Sequence, residues 1–303
     1  MGLCWLCGSA ESREFLPATV EGRITSTDLK ISDSNYGRVA RIVECVSCGF
    51  RYADPLPTPD LVRLYAGLVD PEYGEGHESR IRPFQRILKR CLDLHPTART
   101  LLDAGASTGL LCLAAQELGL HATGVEPSVW AVEIARNRHH VDVLLGTFPH
   151  PALTGKCFDV VTLIDVIEHV SNPTELLGEI ASMVVPGGLV VVTTPDAASV
   201  AARVMRRKWW HYRVAHVGYF NRETMTRALT QAGLTLERVE RYSWVLSVGY
   251  IVERLERYLP IGFLRRRIAE TGVGRRLFQK AIPVNLLDSL TYYARKRGRE
   301  ATR

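Results

Sequence analysis

The stretch from residue 101 to residue 111 constrains the fold of this chain more than any other. It reads LLDAGASTGLL, an apolar run that breaks at Gly105 and resumes with helical spacing after Gly109. This pattern predicts a buried strand, a tight turn and the first turn of a helix. Such a turn lets the backbone approach a ligand, and the free N–H groups of the helix favour one rich in acceptor atoms or negative charge.

The spacing of the glycines narrows the choice of ligand. A dinucleotide fingerprint has Gly-x-Gly-x-x-Gly and a Walker loop ends in Gly-Lys-Ser/Thr, and neither occurs at this turn. No pyrophosphate is therefore expected here. Glu126 ends the next apolar strand, where an acidic side chain can accept hydrogen bonds from both ribose hydroxyls. The two features predict a site for an adenosine without phosphates, and the alternative is an ordinary strand-to-helix turn.

These residues resemble the first motif of the class I S-adenosylmethionine-dependent methyltransferases, Asp/Glu-x-Gly-x-Gly-x-Gly. Asp103, Gly105 and Gly109 match it, and Ser107 replaces the second glycine. The resemblance implies S-adenosylmethionine as cofactor and an α/β fold with a doubly wound, mostly parallel seven-stranded sheet. It also implies a set of cofactor-binding residues: Asp103, Gly105, Ser107, Gly109, Glu126 and Asp165.

Strands and helices alternate from residue 97 onward, which predicts ligand binding at the carboxyl ends of parallel strands. Strands are expected at 99–103, 121–126, 141–145, 158–164, 189–194 and 235–241, and the antiparallel strand that the family adds last at 289–294. We divide the chain into a zinc ribbon (1–57), a helical linker that covers the cofactor (58–96) and the methyltransferase domain (97–303). In the linker, one helix is expected after Thr58 and another from Pro83.

Four of the seven cysteines form two closely spaced pairs, Cys4 with Cys7 and Cys45 with Cys48. Two Cys-x-x-Cys pairs predict a tetrahedral zinc site, because Zn²⁺ takes four thiolates and this spacing lets two of them bind one ion from a single turn. Two disulfides or a redox pair are the alternatives. The segments at 24–29 and 38–43, between the pairs, are expected to form short strands.

The end of the fourth predicted sheet strand carries chemistry suited to group transfer. It reads DVIEH from Asp165 to His169, which resembles the Glu-x-x-Glu-His segment of ubiquinone-biosynthesis O-methyltransferases. That resemblance implies a Mg²⁺ site at Asp165, Glu168 and His169, although Asp165 is one methylene shorter than the first Glu. Alternatively, His169 is the general base for an acceptor hydroxyl, or it only folds back onto the next helix. The motifs of nucleobase methyltransferases are absent from this position.

His216 is the second candidate base. It begins the segment HVGYFN, similar to a His-x-x-x-Phe segment of the family, and follows a basic aromatic run at 206–212, RRKWWHY. The whole loop should leave the carboxyl ends of the sheet and wall the acceptor pocket, unless it is only an aromatic cluster packed on the sheet edge. The catalytic candidates are therefore Asp165, His169 and His216.

Positive charge is concentrated at the end of the chain. Residues 254–303 hold 13 Lys and Arg against 4 Asp and Glu, a net charge of +9 compared with +6 for the whole chain. Arginines such as Arg275 and Arg276 stand beside apolar residues at helical spacing, which predicts a basic amphipathic insert at 243–287. An anionic membrane surface, contacted through 250–280, or a phosphate-bearing ligand would suit it. A solvated surface patch is the alternative.

The sequence has neither a run of about 18 apolar residues nor the pattern of a signal peptide. We expect a cytoplasmic protein, peripheral at the inner membrane face. The CxxCG second pair and the DPLPTP segment after it resemble bacterial methyltransferases that act on sugars, polysaccharide precursors and specialised metabolites. The leading hypothesis is O-methylation of a small-molecule, glycan or lipid-linked acceptor. The alternatives are an RNA methyltransferase, which a Lys-poor ribbon disfavours, and a non-catalytic binding module.

Overall fold

The N-terminal part of the fold is a small antiparallel sheet, which we call the ribbon sheet. A computed structural model describes residues 2–30, 37–71, 77–256, 267 and 271–298. Three consecutive strands form the ribbon sheet: β1 (Ser12–Leu16), β2 (Ile42–Cys45) and β3 (Arg51–Ala53). The strand predicted at 24–29 is wrong, because Asp28 accepts a hydrogen bond from the Thr25 N–H and the chain forms a short 3-10 helix there. The strand predicted at 38–43 begins only four residues later.

Two helices follow the ribbon sheet. The first, α1 (Leu61–Ala66), begins as its apolar spacing predicts, with Asp60 rather than Thr58 as the preceding cap residue. The second, α2 (His77–Leu94), starts earlier than predicted and contains Pro83, which removes one intrahelical N–H donor without ending the helix. Its buried face packs against the helix at Leu110–Glu117.

The large sheet lies in the second half of the chain and confirms the predicted fold class. Its strands are β4 (Thr100–Ala104), β5 (His121–Glu126), β6 (Asp142–Leu145), β7 (Phe158–Ile164), β8 (Val184–Pro195), β10 (Leu234–Arg241) and β13 (Ser289–Lys296). The helices between them are α3 (Leu110–Glu117), α4 (Val129–Arg138), α5 (Pro173–Ser182), α6 (Val200–Met205) and α7 (Arg222–Gln231). A further two-residue strand, β9 (Gly218–Tyr219), precedes α7.

The strands of the large sheet are ordered β10-β13-β8-β7-β4-β5-β6. Neighbours from β8 to β6 run parallel, and β13 is antiparallel to both β10 and β8, as predicted. Two apolar clusters cover the faces of this sheet, because its central strands are Val- and Leu-rich on both sides. The arrangement brings the carboxyl ends of β4, β5, β7 and β8 to one edge.

The basic insert leaves the large sheet after β10. It begins with β11 (Trp244–Ser247), which pairs antiparallel with β12 (Ala281–Val284), a pairing that the sequence did not predict. Between these two strands lie α8 (Val248–Leu255) and α9 (Gly272–Gln279). The backbone of Gly249 lies against Phe278, so these two helices pack together. The part of the predicted basic stripe at 257–266 and 268–270 lies outside the described residues.

The ribbon sheet and the large sheet are joined through β9. This strand pairs antiparallel with β3, so that Arg51 faces Tyr219 and Tyr52 faces Gly218. The division of the chain near residues 57 and 96 stays a prediction. Among the residues that the structure describes, no helix combines the length and the apolar character needed to cross a bilayer.

Candidate active site

Glu126 holds the turn between β4 and α3 to the end of β5. One carboxylate oxygen accepts a hydrogen bond from the Ser107 N–H, and the other accepts one from the Ser128 N–H, each at 2.8 Å. The Ser128 hydroxyl donates in turn to the Leu68 carbonyl at 2.8 Å, which ties the segment after α1 to the same place. Each carboxylate oxygen keeps a second lone pair, and these can accept from a pair of vicinal hydroxyls.

Gly105 and Gly109 are required by the backbone of this turn. Both have φ in the left-handed region, 86° and 77°, and Ser107 between them has φ 47°. A Cβ on Gly105 would overlap the side chain of Val166. Gly105 therefore lets the β4–α3 turn pack directly against the Asp165–His169 turn at the end of β7.

Asp103 lies within β4, at the base of the turn. Its carboxylate accepts a hydrogen bond from the Thr162 hydroxyl at 2.7 Å, in a position that is 3% exposed. Burial raises the pKa of Asp103 to about 7, and the Thr162 hydrogen bond offsets only part of this effect. Asp103 therefore links β4 to β7 inside the sheet. It also lies next to the β4–α3 turn with Ser107, Glu126 and Ser128, which we call the cofactor edge.

The Asp165–His169 turn begins with a strained residue. Asp165 has φ 55°, and desolvation followed by the charge of Asp288 raises its pKa to about 7. Glu168 is buried and accepts a hydrogen bond from the Thr194 hydroxyl at 2.9 Å. Burial raises the pKa of Glu168 well above its usual value, with a further contribution from Asp165. Glu168 is thus held inside the fold.

The ring of His169 is fixed on one side. Its Nδ1 lies 2.7 Å from the Tyr65 hydroxyl and 2.8 Å from the Ala215 carbonyl oxygen. A carbonyl can only accept, so the contact with Ala215 places the proton on Nδ1 and leaves Nε2 with its lone pair. Burial lowers the pKa of His169 to about 4, and the ring is therefore neutral near pH 7.

His216, the second candidate base, lies beside His169. The ring centroids are 4.8 Å apart and the planes meet at 79°. The Nδ1 atom of His216 is buried and has no hydrogen-bond partner among the residues that the structure describes. Burial lowers the pKa of His216 well below its usual value, and His169 lowers it further. Two neutral imidazoles therefore meet at the carboxyl end of β7.

The predicted Mg²⁺ set does not assemble as expected in the described part of the chain. The donor atoms that lie within 4.8 Å of one another belong to Glu168, His169 and His216, and Asp165 is not in this group. One carboxyl and two imidazoles do not fit the oxygen-rich octahedral shell that Mg²⁺ prefers. The Glu168 carboxyl is also occupied by Thr194.

Sequence reasoning missed two residues at this edge. Tyr65 comes from α1, and its contact with His169 spans 104 positions of sequence. Asp288 directly precedes β13, and its carboxylate lies 3.2 Å from Nε2 of His211, whose ring stacks on His216 at 5.6 Å. We call residues 206–221, between α6 and α7, the acceptor loop. The sequence predicted that His211 belongs to this loop, but Asp288 reaches His211 only because β13 runs back antiparallel to β8.

The four paired cysteines form one cluster beside the ribbon sheet. All four Sγ atoms lie within 4.8 Å of one another, and two pairs, Cys4 with Cys48 and Cys7 with Cys45, are 3.6 Å apart. Tetrahedral Zn²⁺ with Zn–S bonds of about 2.3 Å places its sulfurs about 3.8 Å apart. No disulfide is formed. The donor set and its spacing therefore fit a structural zinc ion.

Comparisons with known proteins agree with this geometry. The sequence model of a family described as "Methyltransferase domain" matches residues 77–239, more than half of the chain. The chain belongs to this family of methyltransferases. It is a class I S-adenosylmethionine-dependent methyltransferase, as the first motif predicted, and both the fold class and the cofactor are thereby confirmed.

Individual relatives are more distant. The ubiquinone biosynthesis O-methyltransferase of Bradyrhizobium sp. (strain ORS 278) is 30% identical over 154 residues, which cover 46% of this chain and 53% of that protein. The protein of the same name from Rhodopseudomonas palustris (strain HaA2) is 30% identical over 187 residues, 54% of this chain and 67% of that protein. The chain thus spans between about half and two thirds of their length.

One solved structure shares the fold. It is a chain of the complex that contains the Haloferax volcanii Trm112 methyltransferase activator, with a TM-score of 0.50 and 17% identity. The match covers 74% of this chain and 95% of that one. At this identity the likeness concerns the fold alone.

Proposed function

We propose that this protein transfers the methyl group of S-adenosylmethionine to a hydroxyl oxygen of a small-molecule, glycan or lipid-linked acceptor. S-Adenosylmethionine supplies an electrophilic methyl group when bound. In this transfer the acceptor oxygen would bond to the methyl carbon, the electrons of the broken carbon–sulfur bond would stay on sulfur, and the hydroxyl proton would pass to a base of this chain. The names of the two ubiquinone-biosynthesis relatives support oxygen as the methylated atom.

The residues around the β4–α3 turn would hold the cofactor. Glu126 would accept hydrogen bonds from the ribose hydroxyls, because Ser107 and Ser128 already fix its two oxygens in one orientation. Gly105 and Gly109 give the turn its shape. Asp103 and Asp165 stand at the ends of neighbouring strands, where the cationic amino acid part of the cofactor would meet carboxylates.

The single observation that carries the proposal is the pair of neutral imidazoles at the carboxyl end of β7. A neutral imidazole keeps a lone pair on one ring nitrogen, which a general base needs in order to take the hydroxyl proton. His216 is the stronger candidate, because its buried Nδ1 has no hydrogen-bond partner in the described part of the chain. His169 would then orient the acceptor oxygen through Nε2.

Isothermal titration with S-adenosylmethionine tests the cofactor part. We expect wild type to bind and Glu126→Gln to bind 10- to 100-fold more weakly, since a hydrogen bond to a charged group contributes about 1.5–3 kcal/mol. Glu133→Gln, on the exposed side of α4, is the matched control and should bind like wild type. No binding by wild type, or equal binding by both variants, would remove the assignment.

We also propose that the basic insert brings the protein to an anionic membrane surface, where a lipid-linked acceptor would be available. In α9, Val273 is 80% and Leu277 is 47% exposed, and Arg275 and Arg276 stand beside them in solvent. This combination of apolar and basic side chains is typical of a helix that lies on anionic lipid. It also supports a cytoplasmic, peripheral location.

Flotation with vesicles tests the membrane proposal. We expect binding to vesicles that contain phosphatidylglycerol and none to phosphatidylcholine alone. A double variant, Arg275→Gln with Arg276→Gln, should bind roughly 30-fold more weakly, because each Arg near the surface contributes about 1 kcal/mol. Binding that is independent of lipid charge would contradict this proposal, and salt-sensitive binding to RNA instead would favour nucleic acid.

A further inference from the structure

The ribbon sheet reaches the acceptor loop through main-chain hydrogen bonds. The Ala53 N–H, at the end of β3, donates to the Val217 carbonyl at 2.8 Å. The Val217 N–H donates to the Glu168 carbonyl, also at 2.8 Å. A single residue, directly after His216, is therefore bonded on one side to the ribbon sheet and on the other to the turn that carries His169.

Side chains of the ribbon sheet also contact the acceptor loop. Phe50 and Tyr52 are fully buried, and the ring of Phe50 lies 4.8 Å from that of Phe220. A Cβ on Gly218 would already be in contact with Phe50. The Tyr219 hydroxyl donates to the carbonyl of His216 at 2.9 Å. Gly218 and Tyr219, which pair with β3, therefore follow directly after His216 and Val217, and Tyr219 is also hydrogen-bonded to His216.

A second contact ties the ribbon to the large sheet. The Thr174 hydroxyl, in the first turn of α5, donates to the Trp5 carbonyl at 3.2 Å. Trp5 lies between Cys4 and Cys7, and its ring centroid is 4.9 Å from that of Tyr52, with the two planes tilted by 45°. The loop that carries the first cysteine pair therefore contacts α5, the helix that follows the Asp165–His169 turn. The hydrogen bonds of Glu126, in contrast, join it to Ser107 and Ser128, which lie outside the ribbon.

The cysteine cluster lies at the connection between β2 and β3. β2 has four residues and β3 has three, and ladders this short have little stability of their own. Cys45 ends β2, and Cys48 stands two residues before Phe50 in the connection to β3. An ion bound by all four thiolates would close the connection and fix the direction in which β3 leaves it.

We infer that the ribbon is part of the acceptor site: metal bound by the four cysteines positions β3, which through Val217 positions His216 and the Glu168–His169 turn. Ala53 and Tyr52 are positioning residues in this scheme, since they act through the acceptor loop. The cofactor edge is independent of the metal. The term acceptor site rests on the proposed function, but the coupling between cysteines and loop does not.

Hydrogen exchange followed by mass spectrometry tests the coupling without an acceptor. Wild type loaded with one zinc ion is compared with Cys48→Ser and with wild type stripped by a chelator and then reloaded. Cys157→Ser, an exposed cysteine outside the cluster, is the matched control. We expect metal loss to lower the protection of the amides at 217–219 at least tenfold, and reloading to restore it.

Two internal references make the result decisive. The amides of Val190–Val192 in β8 should keep their protection, and the affinity for S-adenosylmethionine should change less than twofold. Unchanged protection at 217–219, or equal loss at β8 in both the variant and the stripped protein, would overturn the coupling. A wild type that holds no zinc would overturn it as well. Absence of cofactor binding by loaded wild type would count against the proposed function alone.

Discussion

The cofactor edge differs in construction from the group formed by Tyr65, His169 and His216, which we call the acceptor edge. At the cofactor edge, Ser107, Glu126 and Ser128 lie within two successive strand–helix units and meet through main-chain N–H groups. At the acceptor edge, Tyr65 and His169 meet across 104 positions of sequence. The first is fixed by the parallel sheet itself, whereas the second depends on the ribbon, α1 and the return of β13.

This difference suggests a division of labour. A cofactor that is shared by many enzymes can be bound by a turn that the sheet alone determines. An acceptor that is particular to one enzyme is better met by segments that vary independently of the sheet, such as the ribbon and the acceptor loop. This difference predicts that variants at the two edges have separable effects.

Removal of His216 should give the largest effect and leave the cofactor edge intact. His216→Asn removes the imidazole but keeps a polar side chain, and loss of a general base costs 10²- to 10⁴-fold in kcat. The affinity for S-adenosylmethionine, measured by calorimetry, should stay within twofold of wild type. A larger loss from His169→Asn than from His216→Asn would exchange the roles of the two rings. A parallel loss of cofactor affinity would show that the edges are not separable.

The stability of the cofactor edge should depend on pH through Asp103. The carboxyl has a pKa of about 7 in the folded protein and about 3.9 when unfolded, so the unfolded state ionises first as pH rises. Wild type therefore loses stability relative to Asp103→Asn between these two values. The free-energy advantage of the variant should grow by about 2–3 kcal/mol from pH 5 to pH 8, measured by urea unfolding.

Asp159→Asn is the matched control for this pH dependence. Asp159 accepts hydrogen bonds from the Arg99 and Thr100 N–H groups and from the Thr100 hydroxyl. Burial alone would raise its pKa, but these hydrogen bonds outweigh burial and lower it. Its contribution is complete above the unfolded pKa, so the cost of the substitution should be constant from pH 5 to pH 8. A constant difference for Asp103→Asn would contradict the buried-carboxylate account.

Gly105→Ala should separate packing from backbone strain. Gly105 and Gly119 both have φ above 80°, but a Cβ on Gly119 meets nothing while one on Gly105 meets Val166. Gly119→Ala should cost only the left-handed strain, about 1–2 kcal/mol. Gly105→Ala should cost about 1–3 kcal/mol more because of overpacking. Equal costs in denaturant unfolding would mean that Val166 moves aside freely.

Tyr65→Phe should give the smallest effect. The substitution keeps the ring against His169 and removes one hydrogen bond, which contributes about 0.5–1.5 kcal/mol. We expect kcat to fall 2- to 10-fold with no change in cofactor affinity, because the Leu68 carbonyl remains bonded to Ser128. A fall in cofactor affinity instead would show that α1 transmits changes between the two edges.

The two edges also differ in how far sequence predicts them. The strands at 121–126 and 158–164 were predicted to the residue, since their apolar runs end at charged or polar residues. The cysteine cluster followed from spacing alone. The pairing of β3 with β9, and of Asp288 with His211, could not be predicted, because no local pattern encodes contacts between segments so far apart. The Mg²⁺ set is not supported, since the donor group that assembles among the described residues contains His216 and not Asp165.

Incubation with methyl-labelled S-adenosylmethionine and fractionated cell extract tests the central claim most directly. Lipid and aqueous phases are kept apart, and wild type is compared with Glu126→Gln and His216→Asn. The account predicts a labelled methyl ether formed by wild type, much less product with either variant, and weakened cofactor binding only for Glu126→Gln. Label on nitrogen, on carbon or in RNA, or an undiminished rate with His216→Asn, would contradict it.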